Sequence, residues 1–519
     1  MKLPIGIQDF RTLRTEGYLY VDKTRQLHRL IGSSKYIFVS RPRRFGKSLL
    51  VSTLKELFSG SEELFRDLWI ADRVDWSGIA SPVIYIDFNR LDYRGQSLQI
   101  ALARQMDNCA ASFGLELRSE SPKDKFNELL ETLAKTKGKA VVLVDEYDKP
   151  ITDFLGDTEA MKTNVDTLKN FYATLKSQDA NIRFALLTGV SKYGKVSIFS
   201  DLNNLDDITL EEDYADIAGY TQREIEDNFG EWIDRVAEKR KMPRAEVMRN
   251  MKDWYNGYAW AEGQGIYNPF SILNFFKKAR FDNYWFSTGT PTFLTKALTD
   301  ARIPAYELES VYGSDTLLDS ADIQHVDLYS LLFQTGYLTV KERQDMPGGH
   351  VSYRLSYPNK EVRHSFLRYV LAEYMGGPVT QTESNVSLKA TRALLAQDLE
   401  TFFEVLRTVF ETVPYSITAN RESYFHAITH VVLSLTGMQV YSEAQTAQGR
   451  IDAVLEAPDA FYVFEFKLDA SARQALDQIR DRQYYARYAN TGKKSVLIGV
   501  NFSTETRNIQ EWEARTVLG

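Results

Sequence analysis

Residues Tyr36–Leu57 read YIFVSRPRRFGKSLLVSTLKEL: an apolar run, a basic loop, Gly46-Lys47-Ser48, then an amphipathic pattern. A buried strand that ends in such a loop and passes into a helix aims backbone N–H groups and the positive end of the helix dipole at one spot, which suits a polyphosphate. Lys47 would reach the β- and γ-phosphates, and Ser48 would hold Mg²⁺. The first glycine of the spacing G-x-x-x-x-G-K-[ST] is replaced by Arg41, and Pro42 biases Arg41 to extended backbone, so the loop enters by a different path. Arg41, Arg44, Phe45, Gly46, Lys47, Ser48 and Leu49 make up the candidate cradle.

A second stretch gives the loop its context. KAVVLVDEYDKP, from Lys139 to Pro150, reads as a strand buried on both faces that ends in Asp145-Glu146. Phosphoryl transfer needs positioning and charge neutralisation more than covalent chemistry, so Asp145 suits the Mg²⁺ shell and Glu146 the attacking water. PVIYIDFNRL (Pro82–Leu91) and NIRFALLTGVSK (Asn181–Lys192) read as further parallel strands, with helical periodicity over Leu98–Lys135 between the first of these and the Asp145 strand. Thr188, Ser191 and Lys192 leave the carboxyl end of the last strand, either to sense a γ-phosphate or as an ordinary strand exit. Asp22 and Lys23, before the loop, read as a solvated turn, and DLNNLDDITL (Asp201–Leu210) closes the sheet.

The remainder divides by texture. Thr221–Leu298 is helical and aromatic, as in WYNGYAWAEGQGIYNPFSILNFF from Trp254 to Phe276, which suits a lid whose aromatics are chiefly core. Residues 301–384 suggest a helix, a hairpin and another helix, as in a winged-helix-like connector or a plain linking domain, and Gly376-Gly377-Pro378 followed by a polar run to Ser387 reads as a linker. The expected division is 1–220, 221–300, 301–384 and 385–519.

With 519 residues the chain exceeds one hydrophobic core, and 44% hydrophobic with 26% charged residues fits an ordinary globular composition. One cysteine, Cys109, leaves no disulfide framework and favours a reducing compartment. No signal core or membrane-length apolar run is present, so a cytoplasmic location away from membranes is expected. A net charge of −7 argues against a chain coated with nucleic-acid-binding surface, while leaving room for a local basic groove.

SRPRRFGKSLL, VDEYDKPI, TGVSK, the W-Y-N-G-Y run and YNPFSIL, in this order, resemble the AAA-ATPase-like family of bacterial and archaeal proteins over about the first 280 residues. In that family an Arg-Pro pair in place of the first glycine is usual. The resemblance implies ATP as ligand, with Lys47, Ser48, Asp145 and Glu146 in the roles above.

Near the C-terminus, RIDAVLE (Arg450–Glu456) and FYVFEFKL (Phe461–Leu468) flank a turn at Pro458-Asp459. A hairpin centred there sets Asp452 opposite Glu465 on one face, with Lys467 two residues on. Like charges so placed repel, and a divalent oxygen-liganded cation, Mg²⁺ by default, would relieve them. Lys467 would then act on water or phosphate. The pattern is similar to the PD-(D/E)xK nuclease superfamily. That resemblance implies Asp452 and Glu465-Phe466-Lys467 as the signature, Glu422 as the helix-borne acid with Glu443 as a second candidate, and Gln478 as an orienting group. Ile451 stands where the signature proline is usual.

The expected fold is therefore α/β: a P-loop NTPase parallel sheet with a helical lid, a connector and a C-terminal nuclease-like domain. The expected function is an ATPase controlling a Mg²⁺-dependent nuclease acting on nucleic acid, DNA ahead of RNA, in a defence or mobile-element setting. The competing reading is an ATP switch whose nuclease-like domain only binds a partner. Self-association is left open.

Overall fold

Tyr36–Ser40 (β1) is buried at all five positions inside a five-stranded sheet. The computed structural model describes the chain apart from residues 155, 193–197, 200–201, 261–262, 264, 289–291, 302, 315–316, 319–326, 378–380, 414–421, 447–448, 489–490 and 518–519. The other strands of this sheet are Val83–Asp87 (β2), Ala140–Asp145 (β3), Ile182–Gly189 (β4) and Asp206–Asp207 (β5). Their order is β2-β3-β4-β1-β5, and every pair is parallel.

Parallel pairs need crossovers, and the sequence supplies helices with explicit starts. Ser97 caps Leu98–Ser112, Ser121 with Pro122 opens Pro122–Thr136, and Asp157 caps Thr158–Ser177. The helical run expected over Leu98–Lys135 is thus two helices, divided where Gly114 adopts a φ of 71°. The register pairs Ser40 with Gly189, Val144 with Leu187 and Asp87 with Asp145, so the carboxyl ends of four strands come level. This is where a doubly wound sheet binds its ligand.

The segment expected as a lid forms the helices Gln222–Asn228, Gly230–Arg240, Arg244–Tyr255 and Pro269–Lys278, the first opened by a Thr221/Glu224 capping box. Phe229, Ile233, Met251, Tyr255, Tyr267 and Phe275 fill its core, so most of the aromatic stripe is packing. Further on come Val311–Ser314 (β6), the helix Leu328–Gln334, Thr339–Met346 (β7), His350–Ser356 (β8) and the helix Lys360–Tyr374. The run expected as a linker is occupied by the helix Gln381–Leu395; Pro378 lies outside the described residues. The chain packs as two compact units, one of Met1–Trp285 with Tyr312–Lys360, the other of Phe286–Val311 with Glu361–Gly519.

The second unit is built on Gln439–Thr446 (β9), Gly449–Glu456 (β10), Ala460–Leu468 (β11), Lys494–Ser503 (β12) and Asn508–Val517 (β13), in the order β13-β12-β11-β10-β9. Among the described residues of this sheet only β11 and β12 pair in parallel, and the helix Ala472–Asp481 makes their crossover. Gly499 of β12 lets that helix approach: a Cβ there would lie 2.2 Å from the Ala472 carbonyl oxygen. Glu465 is the register partner of Gly499, so the helix crosses directly beside it.

Candidate functional site

The loop after β1 turns sharply at Arg44 (φ 71°) and Gly46 (φ 94°), and Gly46 caps the helix Lys47–Phe58. Lys47 is buried, and its Nζ donates to the carbonyl oxygens of Arg41 (2.8 Å) and Pro42 (3.2 Å). Burial pushes this ammonium below its ordinary range, opposed by the charges of Glu146, Asp145 and Asp148. At the end of β3, Asp145 accepts a 2.7 Å hydrogen bond from Thr188 Oγ1 of β4. Glu146 takes a φ of 56°, and burial pushes its carboxyl up, with Lys47 pulling it back. Lys47, Asp145, Glu146 and Thr188 therefore converge, with Ser48 partly exposed at the helix start.

Three predicted cradle residues point elsewhere. The Arg41 side chain, 1% exposed, donates to the carbonyls of Ser40, Thr209 and Tyr214 and stacks 4.2 Å above Trp260, so only its own carbonyl meets Lys47. Its guanidinium is pushed down to about 9 by burial. The Phe45 ring is enclosed by Tyr258 and Trp260, and the Arg44 guanidinium lies over Phe270. Their place in the cradle is that of backbone and framework. Leu49 is half-buried in the first helical turn.

Sequence reading missed the supports. Asp148 accepts from the N–H groups of Val190 and Ser191 and from Ser191 Oγ, fixing the exit of β4; its only signal was its place in the DEYD run. Lys192 pairs with Asp207 at 3.0 Å, and its N–H donates to Gln334 Oε1 at 2.7 Å. Trp285 Nε1 donates to the Arg43 carbonyl, and the Gly336 backbone lies so near Pro42 that a Cβ would come within 2.7 Å of its ring. The Asp22-Lys23 turn is not solvated: Lys23 is buried, with Nζ 2.7 Å from both oxygens of Glu224.

In the second unit the β10–β11 ladder runs from Ala453–Phe464 to Glu456–Phe461, the register that centring the turn on Pro458-Asp459 gives. The next position out sets Asp452 beside Glu465, and Asp452 Oδ2 accepts from Phe466 N at 2.7 Å. Glu465 is 2% exposed. Its Oε1 accepts from Lys467 Nζ at 3.2 Å and from Gln478 Nε2, while its buried Oε2 has no hydrogen-bond partner among the described residues. Burial, then the charge of Asp452, pushes Glu465 up to about 7, with Lys467 opposing. Asp452 is raised by burial, and Glu422, at the exposed head of the helix Glu422–Leu435, is raised by desolvation and by Asp452. All five predicted residues thus gather; the Glu443 side chain lies outside the described residues.

The donor set fits a Mg²⁺-type ion in one respect: a buried carboxylate oxygen without a donor, close to a second carboxylate. Among the described residues no group of three or more His, Cys, Asp or Glu side chains is placed to hold a metal ion. Mg²⁺ does not need such a group, since it keeps several waters and is held by one or two carboxylates with substrate phosphates.

Residues 4–199 match the family described as Predicted AAA-ATPase, and residues 420–512 match the PD-(D/E)XK nuclease superfamily. An uncharacterized protein in the vnfD 5' region of Azotobacter chroococcum mcd 1 is 38% identical over 518 residues, 98% of each chain. The chain belongs to the AAA-ATPase-like family. This AAA-ATPase-like protein also aligns with the Aeropyrum pernix ORC1 protein in complex with DNA, over 69% of its own length and 95% of that chain, at 11% identity and a TM-score of 0.30. The ORC2 protein of Aeropyrum pernix, as ADPNP–ADP complexes, aligns over 69% and 98% at 10% identity and a TM-score of 0.20. Among the described residues of the AAA-ATPase-like chain, no helix is long and apolar enough to cross a membrane.

Proposed function

We propose that this AAA-ATPase-like protein binds and hydrolyses ATP and that its nucleotide state controls a metal-dependent nuclease acting on nucleic acid, DNA ahead of RNA. The observation that carries the nuclease reading is Glu465: a carboxylate buried beside Asp452, with one oxygen lacking a partner among the described residues, is unfavourable unless a cation meets it. Mg²⁺, when bound, would supply charge neutralisation and an activated water. Asp452 and Glu465 hold the ion side of the site, with Glu422 at its rim. Lys467 stabilises charge on the phosphate, and Gln478 fixes the rotamer of Glu465 by its hydrogen bond.

In the first unit, Lys47 leaves the loop carbonyls for the β- and γ-phosphates, and Ser48 and Asp145 face the Mg²⁺ that accompanies ATP. Glu146 orients the attacking water, and Thr188 ties the γ-phosphate side to Asp145. Within the first unit, a response of lid and connector to ATP is supported by the bonds of Trp285 to Arg43 and Gln334 to Lys192, because both bring lid and connector residues onto the nucleotide loops. We assign 1–220 to the ATPase, 221–300 to the lid, 301–384 to the connector and 385–519 to the nuclease, in a cytoplasmic protein.

A second reading, an ATP switch with an inactive nuclease-like domain, is favoured by the Lys467–Glu465 ion pair, which already partly neutralises the site. The deciding experiment incubates labelled single- and double-stranded DNA and RNA with the full chain and Mg²⁺ or Mn²⁺, with and without ATP. The nuclease reading expects cleavage that Asp452→Ala and Lys467→Ala both abolish. No cleavage of any substrate leaves the switch.

A further inference from the structure

The β10–β11 pairs end at Ala453–Phe464, so Asp452 stands just past the end of the ladder. Its carbonyl is met by His426 Nε2 at 2.8 Å. A carbonyl can only accept, so Nε2 carries the proton. His426 lies one helical turn after Glu422 on the helix Glu422–Leu435, and is itself buried. Its ring is stacked on Tyr306 (centroids 5.0 Å, planes 28° apart) and meets the edge of Phe466 at 5.2 Å. Phe466 in turn donates its N–H to the Asp452 carboxylate. Asp452 is thereby gripped at both ends, by Phe466 at the carboxylate and by His426 at the carbonyl.

We infer that His426, set from behind by Tyr306, is a positioning residue for the Asp452–Glu465 site. This rests on the metal-dependent reading above. A carboxylate at the frayed end of a ladder would otherwise sample several directions, and a ligand that must be ordered on binding loses affinity. Tyr306 comes from the segment Ala305–Glu309, which is held in the same unit by Glu309 accepting from Arg363 Nε at 2.7 Å. The ring and its hydrogen bond therefore have a fixed backing rather than solvent behind them.

The test is Mn²⁺ binding to the full chain without nucleotide, followed by electron paramagnetic resonance of the free ion, with melting curves to confirm folding. His426→Gln keeps an N–H donor at the end of the side chain and should hold the wild-type Kd within about threefold, whereas His426→Phe keeps a ring without the donor and should weaken it about tenfold. Unchanged affinity in His426→Phe, or equal loss in both variants, overturns the inference and leaves the metal site standing. Should His426→Phe fail to fold, Tyr306→Leu replaces it: a severalfold weakening supports the role and an unchanged Kd refutes it. Wild-type protein that takes up no Mn²⁺ overturns the metal reading itself, and the inference with it.

Discussion

The buried Glu465 gives a stability experiment whose sign and size both follow from its surroundings. Its carboxyl, ordinarily at 4.5, is raised to about 7 by burial and by Asp452. The folded state then holds this proton over a pH range in which the unfolded chain has released it, so stability falls as pH rises from about 4.5 to about 7. At about 1.4 kcal/mol per tenfold change in proton affinity, the full loss is about 3 kcal/mol. Asp452, raised by burial, adds a term of the same sign. Glu465→Gln removes the titration and keeps the volume, so at pH 8 it should stabilise the second unit by up to about 3 kcal/mol and flatten its pH dependence. Mn²⁺ should stabilise the wild type more at pH 8 than at pH 5, and Glu465→Gln little at either, because a ligand stabilises only what it binds when folded. Thermal melts of the two proteins from pH 5 to 9, with and without the ion, measure all of this. A Glu465→Gln variant less stable than wild type at pH 8, or equally pH-dependent, refutes the reasoning.

Four further variants concern the first unit. Lys47→Ala should abolish ATP binding by calorimetry, whereas Glu146→Gln should keep binding and lose turnover; equal affinity in wild type and Lys47→Ala sinks the phosphate-loop assignment. Gly336→Ala forces an L side chain into a φ of +89° and a Cβ to within 2.7 Å of the Pro42 ring, so it should destabilise by about 2–4 kcal/mol and weaken ATP binding. A melting temperature and ATP Kd unchanged from wild type count against that packing. Trp285→Phe keeps an aromatic ring, though a smaller one, and deletes the bond to the Arg43 carbonyl, at a cost of about 1 kcal/mol. It should leave ATP affinity within about threefold yet diminish the ATP-dependent change in the protease-cleavage pattern, and an undiminished change breaks the proposed link.

Much of the first unit was legible because its central strands are buried on both faces and so appear as unbroken apolar runs: VVLV in β3 and ALL in β4 have no alternation to misread. What failed there was direction rather than location. Arg41 sits at a cradle position in the sequence, but its guanidinium turns back to the carbonyls of Thr209 and Tyr214, some 170 residues away, and no local pattern announces such partners. The same holds for Lys23, whose partner Glu224 is 201 residues on, so that a buried ion pair looked like a solvated turn. Gln334 is the last residue of the helix Leu328–Gln334, and only the fold brings its side chain to Lys192.

The C-terminal site was legible for a different reason: a hairpin turns sequence separation into geometry. Once Pro458-Asp459 is taken as the turn, the pairing of every residue on β10 with β11 follows, and Asp452 must stand beside Glu465 with Lys467 on the same face. Gln478 was within reach of the same reasoning, because the parallel return from β11 to β12 requires a crossover helix to lie on this sheet. Gly499 then admits that helix at the level of Glu465. The His426 contact obeys no such rule. It depends on where the helix Glu422–Leu435 lies and on Tyr306, 120 residues before it, and its hydrogen bond is made to a backbone carbonyl that carries no side-chain signature at all. Side chains that carry charge announce a site in the sequence; the groups that hold those charges in place act through backbone and packing, and become visible only in three dimensions.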